Sequence, residues 1–180
     1  MSSRESRRRF LRGTLSGLAV GFLPISSHAQ TIERRRLVLI NSHTGEMLDT
    51  IYWANGAYQP AEMGRLDWAF RDHRTSNVRP IDSRLFDLLH ELAMTAGLEP
   101  RYQIISGFRS PATNAMLAAA SDGVSSRSLH MEGRAIDVRL EGLPLASLRD
   151  LALAKRAGGV GYYPKSDFVH LDVGRVRSWQ

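Results

Sequence analysis

His130 and Asp137 stand seven residues apart in Ser128-Leu129-His130-Met131-Glu132-Gly133-Arg134-Ala135-Ile136-Asp137, and His170 follows 33 residues later in Val169-His170-Leu171-Asp172. Neutral imidazole and carboxylate are ligands that zinc accepts, and three protein ligands with one open position is the pattern of a catalytic zinc. A lone histidine is more often a hydrogen-bonded core or surface residue. Here the three come as a set, in a chain with six histidines, five of them beyond residue 29. There is no cysteine, so thiolate ligation and a disulfide scaffold are excluded. A metal must be held by His, Asp and Glu, and the expectation is one zinc ion per chain.

Those side chains need elements to carry them. Residues 134–140 read as a strand in which Ala135 and Asp137 share a face. Residues 168–173 read as another, and two adjacent strands can bring Asp137 and His170 together. His130 is expected in the loop leading into the first strand. Gly133 relieves crowding where that loop turns, and Ala135 leaves room on the metal-facing side. Residues 160–162 form a further short strand before the Tyr163-Pro164-Lys165-Ser166 turn.

Upstream, residues 37–41 and 47–53 read as strands joined at His43-Thr44-Gly45, a hairpin. Asn55-Gly56 signals another turn. Residues 60–71 suit a helix with Pro60 in its first turn and Met63, Leu66 and Phe70 on one face. The strongest helical pattern runs from the N-cap Asp82 to Ala96, with Leu85, Leu88, Leu89 and Leu92 at helical spacing and Gly97 as the stop. A strand at 101–106, a helix at 111–120, a loop at 122–126 and a helix at 145–155 ended by Gly158-Gly159 complete the order. Trp53 and Trp68 are assigned to the core. The pattern predicts an α+β domain, a small and mostly antiparallel sheet with helices on one face.

The first 29 residues read as an address rather than as fold. Ser6-Arg7-Arg8-Arg9-Phe10-Leu11-Arg12 is basic, residues 13–25 are apolar, and Ser27-His28-Ala29 supplies small residues for cleavage. This is the layout of a twin-arginine export signal, with residues 30–180 left as one mature domain in the periplasm. The apolar run is too short to span a bilayer comfortably, so no stable membrane anchor is expected after cleavage. The whole chain carries 24 basic and 18 acidic side chains, but five arginines and one glutamate fall in the first 29 residues. The mature part, with 19 basic and 17 acidic side chains, has too little net charge to argue for nucleic acid.

The run Ser-x-His-x-x-Gly-x-Ala-x-Asp, then Val-His-x-Asp, resembles the zinc D-alanyl-D-alanine carboxypeptidase family, which shares a superfamily with lysostaphin-type enzymes and hedgehog domains. Ile105-Ser106-Gly107-Phe108-Arg109-Ser110 is similar to that family's Ser-Gly-Tyr-Arg segment. The hairpin turn 41–46, the segment 157–164 and the export signal bring the resemblance closer still to the family's murein endopeptidases, over nearly the whole chain. The resemblance implies a zinc peptidase acting on peptidoglycan stem peptides, cutting cross-links between diaminopimelate residues. It implies His130, Asp137 and His170 as metal ligands and Arg109 as the substrate-binding guanidinium, whose fork suits a carboxylate.

The general base departs from the family pattern. Phe168 lies two residues before the last ligand and Asp167 three before, so Asp167-Phe168-Val169-His170 resembles the acidic-x-x-His version. Asp167 would then move the proton from water to the leaving amine. Its turn position also suits local hydrogen bonding alone. Asp172 is the rival, sharing a face with His170, either as base or as the carboxylate that orients a ligand histidine. Asp167 is placed ahead of Asp172, and Glu132 stands third. The alternatives are a D-alanyl-D-alanine carboxypeptidase and a wall-binding module that keeps zinc without catalysis.

Overall fold

A strand alternating core and solvent side chains feeds each layer of this protein, and the computed structural model describes residues 33–120 and 125–180. Contacts group Ile32–Gln180 as one unit. The expected export signal and part of the 122–126 loop lie outside the described residues. In order the chain forms β1 (Arg35–Asn41), β2 (Met47–Ala54), β3 (Ala57–Tyr58), α1 (Pro60–Ala69), α2 (Ser83–Thr95), β4 (Arg101–Ser106) and α3 (Pro111–Ala120). A 3-10 turn (Leu129–Glu132), β5 (Ala135–Leu140), α4 (Leu145–Lys155), β6 (Gly159–Tyr163), β7 (Phe168–Asp172) and β8 (Arg177–Trp179) follow. No described helix is long and apolar enough to cross a membrane.

The eight strands form one sheet in the order β3-β2-β1-β4-β5-β7-β6-β8. The α+β expectation holds, but the sheet is mixed rather than simply antiparallel. β1 pairs with β4 in parallel and β6 with β8 in parallel. The first parallel pair arises because α1 and α2 lie between β1–β3 and β4, a crossover long enough to return the chain in the same direction. The second arises because the chain reverses after β7 and passes the end of β6.

One face of the sheet makes the core. Leu37 and Leu39, Leu48 and Tyr52, Tyr102 and Ile104, Ile136 and Val138, and Val169 and Leu171 alternate inward. They meet Leu85, Phe86, Leu89 and Leu92 of α2 and Leu148 and Ala152 of α4. Burying each such side chain contributes about 1.5–3 kcal/mol. Asp82 caps α2 by accepting from the Arg84 amide at 3.1 Å.

Two local expectations are corrected, and one strand carries an irregularity. α4 is ended by Arg156 in the left-handed region at φ 52°, not by the glycine pair, which instead packs under β7. Trp68 is 51% exposed and stacks with the Arg71 guanidinium at 4.1 Å, because it sits on the outer side of α1. Ile104 and Ser106 pair with the consecutive residues Val138 and Asp137, so Ile105 is one extra residue in β4. This bulge flips Ser106 from the core face to the face of Asp137.

Candidate metal centre

Asp137 on β5 and His170 on β7 are direct cross-strand partners, so both leave the sheet on the side opposite the core. His130 arrives from the 3-10 turn, where the Ser128 hydroxyl accepts from its amide and Gly133 closes the turn at φ 70°. Its carbonyl accepts from the Arg109 amide at 3.3 Å, tying this turn to the loop after β4. All three side chains are buried.

Each imidazole has one nitrogen already engaged. His130 Nδ1 donates to the Gly107 carbonyl at 2.7 Å, and His170 Nε2 donates to Asp172 Oδ2 at 3.1 Å. In the neutral rings the lone pairs then sit on His130 Nε2 and His170 Nδ1. These two nitrogens are 3.2 Å apart, and Asp137 Oδ1 is 3.2 Å from the first and 2.9 Å from the second. Bonds of about 2.0–2.1 Å at tetrahedral angles separate neighbouring ligand atoms by about 3.3 Å. The spacing of the triangle therefore matches one face of a zinc tetrahedron. Zinc fits this donor set, and the outward hydrogen bonds fix the tautomers as ligation requires.

The electrostatics follow from the packing. Burial opposes the Asp137 charge, yet His130 and His170 hold its carboxyl well below the usual range. Burial pushes His130 down, whereas for His170 the flanking Asp137 and Asp172 outweigh burial and raise it.

Arg109 lies in contact with this cluster. Its Nη2 donates to Asp137 Oδ2 at 2.6 Å and lies 3.1 Å from His130 Nε2, while its Nε donates to the Ser106 hydroxyl at 2.9 Å. The bulge that turned Ser106 outward is thus what aims Arg109. Nη1 makes no hydrogen bond among the described residues. Gly107 is required here by close approach, since a Cβ would stand 2.2 Å from the Phe70 carbonyl oxygen.

The two candidate bases stand differently. Asp172 is buried behind His170, on the ring nitrogen opposite the one facing the cluster. Its oxygens also accept from the Gly159 and Gly174 amides at 3.0 and 2.8 Å and from both terminal nitrogens of Arg177. Asp167 has its side chain 62% exposed, pairs with Arg139 at 3.1 Å and lies outside the ligand triangle. Glu132 is exposed and paired with Arg134.

A cleft of about 500 Å³ opens over the cluster. Arg109, Arg127 and Arg177 line it together with Tyr163, Phe168 and Trp179. Among its described lining residues Asp137 is the sole carboxylate, so the cleft favours anionic ligands. Sequence reasoning missed Gly107, whose carbonyl orients His130, and Arg177 and Trp179 on β8. The glycines at 159 and 161 were the available signal, because such residues mark close approach of another segment.

Similarity to known proteins identifies the family. A family model described as peptidoglycan L,D-endopeptidase MepK matches residues 29–179. The chain is 42% identical over 178 residues to the peptidoglycan L,D-endopeptidase MepK of Escherichia coli K12, covering 97% of each chain. It is 39% identical over 181 residues to the probable peptidoglycan L,D-endopeptidase MepK of Haemophilus influenzae, covering 98% of this chain and 96% of that one. No solved structure matches the chain. With the match spanning the cleft, the triangle and the strands beneath them, the chain belongs to the peptidoglycan L,D-endopeptidase MepK family of metallopeptidases.

Proposed function

We propose that this chain is a periplasmic zinc peptidase that hydrolyses diaminopimelate–diaminopimelate cross-links between peptidoglycan stem peptides. The observation that carries the reading is the triangle of His130, Asp137 and His170 lone pairs at the floor of a cationic cleft. The family supports the substrate, since both relatives are named for peptidoglycan L,D-endopeptidase activity. Export by the twin-arginine route rests on the arginine run and apolar segment before residue 29, where the family match begins.

A zinc ion bound by His130, Asp137 and His170 would polarise the scissile carbonyl and make water more acidic. Arg109 uses its free Nη1 and its position beside Asp137 to hold a carboxylate of the substrate. Asp167 leaves Arg139, takes a proton from the attacking water and hands it to the leaving amine as the C–N bond breaks. Asp172, with its oxygens committed to Arg177, two amides and His170, orients His170 instead of moving protons.

The test is incubation of purified protein with muropeptide dimers of defined linkage, with and without a chelator. Dimers joined between two diaminopimelates should yield monomers, chelator should stop this, and added zinc should restore it. Release of terminal D-alanine alone would make it a carboxypeptidase, and no turnover of any substrate would make it a binding module; either overturns the reading. Arg109→Ala should lower kcat/KM by about 10–150-fold, the loss of one charge-assisted bond, while zinc content stays at wild type.

A further inference from the structure

The ligand histidine on β7 is backed by a short strand that supplies two residues of the cleft wall, Arg177 and Trp179. β8 runs parallel to β6, with Arg177 opposite Gly159 and Trp179 opposite Gly161. Alternation puts Arg177 and Trp179 on one face. Arg177 grips Asp172 with a fork, Nη1 to Oδ1 at 3.1 Å and Nη2 to Oδ2 at 2.7 Å. The same Oδ2 accepts from His170 Nε2.

Trp179 completes the enclosure. Its indole packs on the His170 ring, with centroids 5.1 Å apart, and its N–H donates to the Tyr163 hydroxyl at 2.8 Å. The Arg177 guanidinium lies 4.8 Å from the Trp179 ring, so the two hold each other. Gly161 keeps this place open, since a Cβ there would come within 2.7 Å of the indole. His170 is thus met at Nε2 by Asp172, at its ring by Trp179 and at Nδ1 by the other ligands. Within its own strand the imidazole is restrained through Asp172, and Arg177 aims that carboxylate. An Arg–carboxylate fork fixes direction as well as charge, which single amide donors do not.

We propose that Arg177 and Trp179 are positioning residues for the metal centre: β8 holds His170 in its ligating orientation and thereby sets metal affinity. The inference rests on the ligand assignment of His130, Asp137 and His170, and it needs no particular substrate. Such outer partners are worth about 10–100-fold in metal affinity.

The experiment titrates the metal-free proteins with zinc alone against a chromophoric chelator, and in parallel records their thermal unfolding without metal. Arg177→Gln should weaken zinc binding by about 10–100-fold. Arg177→Lys, which keeps the charge and loses the fork, should recover only part of this. Trp179→Ala should weaken zinc binding, and Trp179→Phe, which keeps a ring against His170, should restore it. His170→Ala is the reference: wild-type zinc affinity in that variant would show that the ligand assignment itself is wrong. If His170→Ala loses zinc while Arg177→Gln and Trp179→Ala bind within twofold of wild type, the clamp is refuted. It is refuted equally if Trp179→Phe binds no better than Trp179→Ala, or if the weakening follows lost folding of the metal-free protein.

Discussion

Asp172 and Asp72 are both buried carboxylates that accept several hydrogen bonds, yet they serve different levels of the molecule. Asp172 is wired to side chains, the fork of Arg177 and the ring of His170, besides two amides. Asp72 is held by the Thr113 and Ser110 hydroxyls and accepts from the amides of Ser110 and Arg74 at 2.9 and 3.0 Å, all around the start of α3 and its own turn. In both, burial opposes the charge and the donors overcome it, leaving the carboxyl well below its usual range. Asp172 orients one ring, whereas Asp72 fixes the loop that presents Gly107 and Arg109. A network that ends on a ring of the cluster is read out as affinity, and one that ends on a loop and a helix start as stability.

The largest effect sets the ceiling for Asp172. His170→Ala removes the ring it orients, so zinc should fall from about one ion per chain to background by metal analysis, with turnover undetectable. Asp167 sharpens the contrast, being an exposed carboxylate in neither network. Asp167→Asn should retain zinc and lower kcat by about 10²–10⁴-fold in a cleavage assay. Full activity there, with Asp172→Asn inactive but zinc-loaded, would move the catalytic role to Asp172 and break the comparison. Otherwise Asp172→Asn should weaken zinc by about 10–100-fold in chelator competition.

Asp72→Asn should leave zinc affinity unchanged and cost about 1–3 kcal/mol in denaturant unfolding. The sign of its pH dependence follows from the lowered carboxyl. Its contribution is present above the unfolded carboxylate value, about 3.9, and is lost as pH falls below that. The difference between wild type and Asp72→Asn should therefore shrink below about pH 4.

That His130, Asp137 and His170 come together was legible from their spacing and from Asp137 and His170 standing in short apolar strands, two of which can lie side by side. Asp82, Asn55-Gly56 and the α2 leucines were legible as local chemistry. Asp72 was not, since an aspartate in a turn is ordinary until Ser110, 38 residues away, is seen against it. β8 was too short to carry a periodic signal, and its parallel pairing depends on where the chain crosses after β7. Ile104 and Ile105 stand at the centre of the 101–106 strand, and only the register with β5 shows that one residue there is an insertion.

That inserted residue has a genetic consequence. Removing the codon for Ile104 or for Ile105 yields the same protein, with strict alternation restored in β4. The strand would still offer an aromatic and an isoleucine to the helices, and Ser106 would still pair with Asp137, so the product should accumulate as soluble protein with the Arg109 contact kept. Removing the Ser106 codon instead takes away the hydroxyl that accepts from Arg109 Nε. Of the three single-codon deletions, two should therefore be tolerated at the site and the third should behave as a loss-of-function allele.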